Sequence, residues 1–598
     1  MRQPPGALQW EFGSHVRITS LSIVLHKILE KKLQQAVAAV LPEAALDNVL
    51  VRPCPDPKFG DYQSNALMTL AKARKMNPRQ LATAVAAKLD VAQWCEPVQV
   101  AGAGFLNFRL KPAAMAETLQ DAAGNGPLFF QKTEHPRCIV IDFSSPNVAK
   151  PMHVGHIRST VLGDALTRLL RLLGHRVITD NHIGDWGTQF GKLLVGWKTD
   201  LHAEALQADP IAEMERLYRS INQACESDQK VLEAARQELV KLQSGDEENL
   251  RIWREMIALS ESQFQRIYTR LGVKFDYQFG ESYYNPRLQS VVRELAERGL
   301  ARSSEGAMAV FFEDIPALKD HPALVQKSDG AFNYTSTDLA TLQFREEGGT
   351  WGAKPGEIIY VTGAPQQLHF QQLFAIFHRW HPDANMKLAH VWFGSVLGED
   401  GKPFKTRAGD TVRLEDLLDE AEERAFKVVS EKNAELSLPE QREIARVVGL
   451  GAIKYADLSQ NRQSDYIFSW DKMLSLQGNT APYLLYAYTR VRSIFRKGGE
   501  AIPSGGGIIL QAPEEMALAR HLLNFGLALE TAAEDYRPNF LCTYLYELSG
   551  HFARFYENCP VLKAEGPSRH SRLILSDLTA RVLKQGLEVL GIETTEQM

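Results

Sequence analysis

His153, Val154, Gly155 and His156 are the first residues of this chain whose types and spacing suggest chemistry. Two imidazoles three residues apart can face one ligand, and as donors they can stabilise charge building on a transferring phosphate. Gly155 between them lets backbone approach a ligand closely. A second segment, KPFKTRAG, carries Lys402, Lys405 and Arg407. Clustered cations on a mobile loop can close over a triphosphate and neutralise transition-state charge. In FNYTSTDLAT, Tyr334 and Asp338 are four residues apart, hence on one face if the segment is helical. Taken singly, each pattern has a plainer reading. Histidines near a helix start are commonly surface residues, a basic turn is commonly just exposed, and one aspartate on a helix is usually solvated.

The elements that must position these residues are legible around them. CIVIDFSS, from Cys138, is a short apolar run that reads as a buried parallel strand. The loop PNVAKPMHVGH follows. IRSTVLGDALTRLLRLLGH then puts Ile157, Leu162, Leu166, Leu169 and Leu173 on one helical face, with Gly174 where a helix ends. RVITDNHI reads as the next strand. A strand–helix–strand crossover is the unit of a parallel sheet, and ligands of such sheets bind outside the carboxyl ends of the strands. The two histidines fall at that edge, where the new helix offers unpaired N–H groups and a positive dipole end to an anion. The sheet pattern returns in EIIYVTG (Glu357–Gly363) and LAHVWFGSV (Leu388–Val396), the latter running into the Lys-bearing loop. Residues 200–300 are mostly helical and charged, and after about Thr411 the chain reads helical almost to its end. Ahead of the sheet, helices are expected over Ile23–Ala39, Asn65–Lys75 and Pro78–Leu89, and strand–turn–strand in VQVAGAGFLNFRL.

Composition narrows the class. The chain has 598 residues, 44% hydrophobic and 23% charged, an ordinary globular balance with room for several domains. No apolar run reaches the roughly 18 residues of a membrane helix. The opening MRQPPGALQWEFGSHVRITS lacks a continuous apolar stretch and reads as a flexible leader, not a signal peptide. The net charge of −5 argues against a generic nucleic-acid coat but permits a local basic face. Six cysteines are scattered with no C-x-x-C pair, so no zinc site is expected and the thiols read as buried and free in a reducing cytoplasm.

SSPNVAKPMHVGHIRSTVLGDAL followed by NHIGDWGTQFGKLL resembles the HIGH signature region of class I aminoacyl-tRNA synthetases, and among them the arginyl-tRNA synthetases. KPFKT resembles a degenerate KMSKS loop of the same class. The resemblance runs through RQSDYIFSWDKMLSLQGNTAPYLLYAYTRVRSI and LYELSGHFARFYENCPVL, similar to a helical anticodon-binding domain, and through KFGDYQSNALMTLAKA and VAGAGFLNF, similar to an N-terminal module set against the tRNA elbow. It implies an α/β protein: a Rossmann-type parallel-sheet catalytic domain with a small N-terminal α+β module and a C-terminal all-α helical bundle. The expected boundaries are a leader over 1–19, the module over 20–130, the catalytic domain over 131–410 with a helical insertion around 200–300, and the helical domain over 411–598.

The resemblance implies ligation of L-arginine to its tRNA with ATP and magnesium, no tightly bound cofactor, no protein-held metal, and a cytoplasmic monomer. It assigns His153, Gly155, His156, Lys402, Lys405 and Arg407 to ATP. It assigns Asp142, Ser144, Asn147, Tyr334, Asp338 and Gln366 to arginine, and Tyr488, Arg490 and Arg492 to tRNA. A carboxylate suits a guanidinium because the two form bidentate charge-assisted pairs. For the helix carrying Tyr488, an amphipathic core helix with a basic outer face is the alternative reading. Gln597 stands where these enzymes commonly carry a basic residue before the final methionine.

Overall fold

The computed structural model describes residues 24–124, 127–402, 404, 412–498 and 507–598, in two compact units. The expected leader over 1–19 lies outside the described residues. The first unit comprises residues 24–124 and 127–131 together with 507–527 and 558–578. Its opening helix, Leu25–Val40, buries Leu25, Leu29, Leu33 and Val37, a four-residue rhythm that lays one apolar stripe on the core. A four-stranded antiparallel sheet follows, with Arg52–Pro53, Tyr62–Ser64, Phe105–Phe108 and Gln99–Ala101 in spatial order. The helices Ala66–Ala73 and Pro78–Ala86 are those expected, shorter at their ends. Segments from the far end of the chain join this unit through side-chain contacts: Arg520 pairs with the buried Asp61 at 2.7 Å, and Phe130 meets Phe525 edge to face. The stretch 411–598 therefore contributes to both units.

The second unit is built on four parallel strands: β1 (Cys138–Phe143), β2 (Arg176–Asp180), β3 (Glu357–Val361) and β4 (Lys387–His390), in the order β4–β3–β1–β2. β1 passes to β2 through helix α1 (Val154–Leu172), while β3 lies on β1's other side. The order thus reverses between β1 and β3, the place where an open parallel sheet leaves a crevice at its carboxyl edge. Helix α2 (Tyr334–Glu346) precedes β3 and contains Tyr334 and Asp338. Three antiparallel strands not expected from the sequence, Ala301–Ser304, Ala307–Val310 and Ala323–Gln326, pack with α2 in one core. LAHVWFGSV does not form one strand. Beyond β4 the chain stays beside β3 as far as the Gly363–Phe393 bridge and then leaves the sheet: Trp392 O and Gly394 N bond to Arg462, and Val396–Leu397 pairs instead with Tyr466–Ile467.

α1 is buried on nearly every side, not on one face alone. Its buried cation has a counter-charge: Arg158 lies 2.9 Å from Asp457 and donates to the Gly394 carbonyl. The helix lies so close over β1 that a Cβ on Gly163 would fall 2.2 Å from Phe143 Cγ. Gly163→Ala forces either the Phe143 ring or the helix to move. The expected cost is about 1–3 kcal/mol of stability, typical of an overpacked core, read as a lower midpoint in denaturant unfolding with an unchanged slope.

Candidate active site

α1 begins at Val154, three residues earlier than the apolar pattern indicates, so the histidine pair is part of the helix start. His153 is the N-cap. Its Nδ1 accepts from the Gly155 N–H at 3.1 Å, and His156 Nδ1 accepts from the His153 N–H at 3.0 Å. Each imidazole thereby satisfies one of the orphan donors of a helix N-terminus. A neutral ring whose Nδ1 accepts carries its proton on Nε2, so both rings keep an Nε2–H donor. Both are held neutral: burial, with Lys150 adding, lowers the His153 pKa, and burial, with His153 adding, lowers His156 to about 3. Ring centroids are 4.0 Å apart. A Cβ on Gly155 would sit 2.9 Å from His153 Cε1, so glycine makes room for the ring itself.

The floor is a row across the sheet. Asp180 on β2, Asp142 on β1, Tyr360 on β3 and His390 on β4 are register partners at the carboxyl edge. Arg345, fully buried on α2, places one guanidinium nitrogen 2.7 Å from Asp142 Oδ2 and 2.7 Å from Asp180 Oδ2, with Tyr360 beneath it. Burial works against this cation, but Asp142, Tyr360 and Asp180 keep it protonated, while burial raises the Asp180 carboxyl. The other Asp142 oxygen accepts from Ser145 Oγ at 3.0 Å. Ser144 and Ser145 both adopt left-handed backbone, at φ 71° and 49°. This costs on the order of 1–3 kcal/mol per residue unless the surroundings hold it. They do: Ser159 Oγ and Asn181 Oδ1 accept from the two N–H groups, and Ser144 Oγ bonds Tyr268 and Thr160.

The opposite end is acidic. Asp338 Oδ2 accepts from His369 Nε2 at 2.6 Å, and His182 Nε2 lies 3.9 Å from Oδ1. Tyr334 at the start of α2 is exposed and meets His369 edge to face at 4.8 Å. Glu281 joins them from a short helical turn, Glu281–Tyr284. Burial, reinforced by Asp338 and Asp185 and opposed by His182, pushes its carboxyl up to about 7.

One cavity of about 730 Å³ is lined by Asp142, Ser144, Asn147, His153, Gly155, His156, Tyr334, Asp338 and Gln366. These nine sequence-predicted residues are brought together. Lys402 is not among the lining residues: its backbone closes a turn, with Gly398 N donating to its carbonyl and its own N–H donating to Asp400. Phe404 lines the cavity instead, stacked on Phe468. Lys405 and Arg407 lie outside the described residues. The three nucleic-acid candidates stand on the Ala481–Gly498 helix in different settings. Tyr488 is buried and donates to Glu596 at 2.8 Å, and Arg492 pairs with the same carboxylate at 3.0 Å, so both hold the chain terminus to the Ala481–Gly498 helix. A buried ring offers no face to a base. Arg490 is exposed, over the Tyr556 ring.

Sequence reasoning missed Glu281, His182, His369 and Arg345. His369 stands three residues after Gln366, and Arg345 seven after Asp338, spacings that a helical reading extends to one face. Glu281, in a loop-like segment about a hundred residues from either signature, carried no local signal.

The comparisons with known proteins bear on the whole chain. It matches the family profiles "Arginyl tRNA synthetase N terminal domain" over residues 25–110, "tRNA synthetases class I (R), catalytic domain" over 118–470 and "DALR anticodon binding domain" over 484–598. It is 46% identical to an arginine–tRNA ligase of Picosynechococcus, aligned over 96% of this chain and 100% of that one. It is 47% identical to one of Hahella chejuensis with the same coverage. The structure superposes on the arginyl-tRNA synthetase of Thermus thermophilus with a TM-score of 0.81 at 28% identity, covering 96% of this chain and 100% of that one. For the Plasmodium falciparum arginyl-tRNA synthetase the values are 0.80 and 29%, over 97% and 100%. With its parallel sheet, its paired-imidazole helix start and these relatives over 96% of its length, the chain belongs to the arginyl-tRNA synthetase family of class I synthetases.

Proposed function

We propose that the chain is an arginine–tRNA ligase working at the cavity between β1 and β3. The observation that carries this reading is the division of that cavity: two neutral Nε2–H donors at a helix N-terminus on one side, carboxylates without a matching cation on the other. The first side suits a polyphosphate and the second a guanidinium. Arginine's carboxylate oxygen attacks the ATP α-phosphorus, the bond to pyrophosphate breaks, and arginyl-adenylate forms. A ribose hydroxyl at the tRNA 3′ end then attacks the arginyl carbonyl, and AMP leaves. No side chain serves as nucleophile, so the protein's contribution is positioning and charge stabilisation. His153 and His156 donate to phosphate oxygens, and ATP enters as its magnesium complex. The basic segment at Lys402, Lys405 and Arg407 completes the phosphate side.

On the other side, Asp338 and Glu281 take the guanidinium, Tyr334 covers it, and Asp142, Ser144, Asn147 and Gln366 fix the rest of the amino acid. A site that hydrogen-bonds a charged group rejects analogues lacking it by factors of roughly 10⁴ or more, so no editing step is required. The N-terminal module and the helices after residue 411 meet the tRNA, with Arg490 among the contacts. The enzyme acts as a cytoplasmic monomer. Among the described residues no helix is long and apolar enough to cross a membrane.

The deciding test is charging of total bacterial tRNA by the purified protein with each of the twenty amino acids separately labelled. Labelling by arginine alone is expected. Binding of tRNA with no labelling would point to a non-catalytic RNA-binding descendant. Formation of the adenylate is expected to need tRNA, so arginine-dependent pyrophosphate exchange in its absence would contradict that part. The double variant Asp142→Asn/Asp338→Asn should weaken arginine far more than ATP, and equal losses would mean the pocket is misplaced. Because Glu281 titrates at about 7, its carboxyl is ionised above that pH and neutral below it. The KM for arginine should therefore rise as pH falls from 8 to 6, by up to about tenfold, and the rise should vanish in Glu281→Gln, whose KM stays high throughout.

A further inference from the structure

We propose that Arg345 is a positioning residue that sets the direction in which the substrate lies: its guanidinium occupies the Asp142 carboxylate and so reserves Asp142 for the α-ammonium group, sending the substrate's own guanidinium to Asp338 and Glu281. This rests on the reading of the cavity as an arginine site.

Asp142 lines the same cavity as the histidine pair and by itself would attract either cation of arginine. The two outcomes differ. A guanidinium at Asp142 would put the substrate carboxylate at the far end, away from the phosphates. An ammonium there puts it beside them. Arg345 decides between the two by filling the guanidinium position in advance. One of its nitrogens is bonded at 2.7 Å to both Asp142 Oδ2 and Asp180 Oδ2, leaving no room on that edge for a second planar fork. The remaining lone pairs of Asp142, beside the Ser145 bond, face the cavity, where a compact ammonium can use them.

The charges fit. Two carboxylates and one guanidinium leave a single negative charge at this end of the floor, matched to one ammonium. Arg345 also stands on the helical stripe that carries the distal contacts: Tyr334, Asp338 and Arg345 are at positions i, i+4 and i+11 of α2, eleven residues being about three turns. One rigid helix therefore presents the covering ring, the guanidinium acceptor and the internal guanidinium together. Burying a guanidinium against two carboxylates is seldom the most stable filling for a core, which favours an ordering role over a purely structural one.

The probe is 5-guanidinopentanoate, arginine without its α-amino group, used as an inhibitor of arginine charging with full-length enzyme and tRNA. Wild-type enzyme should bind it at least about tenfold more weakly than arginine, the loss of one charge-assisted hydrogen bond. In Arg345→Gln, and to a smaller extent in Arg345→Lys, the KM for arginine should rise until the two compounds differ by less than about threefold, while the KM for ATP stays within twofold. Arg345→Gln/Asp180→Asn, which removes the surplus carboxylate and supplies amide donors, should recover most of the discrimination. A merely structural role would lower kcat, or raise both KM values together, with no recovery in the double variant. Arginine and analogue losing affinity in parallel in either folded single variant would overturn the proposal. Failure of the wild-type enzyme to charge tRNA with arginine, or to discriminate against the analogue, would instead overturn the reading of the cavity itself.

Discussion

The rest of the structure depends on the approach of one helix to one strand. α1 lies over β1 at a distance that only a missing side chain at Gly163 permits, against the Phe143 ring. That contact fixes where the N-terminus of α1 ends up: at the carboxyl end of β1, beside the point where the strand order reverses. The polypeptide between strand and helix must then turn within a few residues. It does so through two left-handed serines held by Ser159, Asn181 and Tyr268, each from a different part of the unit. The strain of that turn and the tightness of the helix packing are two aspects of one arrangement.

What the turn achieves is electrostatic. At its end, backbone N–H groups that a helix ordinarily leaves to water are taken up by two imidazole Nδ1 atoms. Burial keeps the rings neutral, so their remaining protons are donors that carry no charge of their own to be desolvated. A polyphosphate with its cation can approach such donors without competing for an existing ion pair. The acidic end is built on the opposite logic. Asp338 is faced by the imidazoles of His369 and His182, Asp185 is held by Ser282, and burial, reinforced by these two carboxylates, drives the Glu281 carboxyl up to about 7. An unmatched cluster of this kind favours an incoming cation.

In the cavity floor the protein pairs its own carboxylates with its own cation. Asp142 and Asp180 are neighbours across β1 and β2, and their charges share the Arg345 guanidinium. The same economy appears at the chain terminus, where Glu596 collects Tyr488 and Arg492, groups that would otherwise present a ring and a cation to solvent.

The sequence by itself determined the local pieces. The apolar run at Cys138, the apolar face from Ile157 and the glycine at 174 suffice for strand, helix and stop, because hydrophobic period and capping act over a few residues. The residues of the cavity wall that flank those pieces, from Asp142 to His156, and Tyr334 and Asp338 one helical turn apart, were singled out through the resemblance of their segments to the synthetase signatures, because period and spacing alone left plainer readings open. The tertiary structure alone decided what pairs with what. Asp142 looked free and is shared with Arg345, two hundred residues away; Tyr488 looked like a stacking ring and is buried under the chain end; Glu281 had no pattern at all and faces Asp338. Burial, charge partners and the pKa values that follow from them arise from contacts distant in the chain. Periodicity and motif spacing carry no information about such contacts, because they record only what a residue's near neighbours allow.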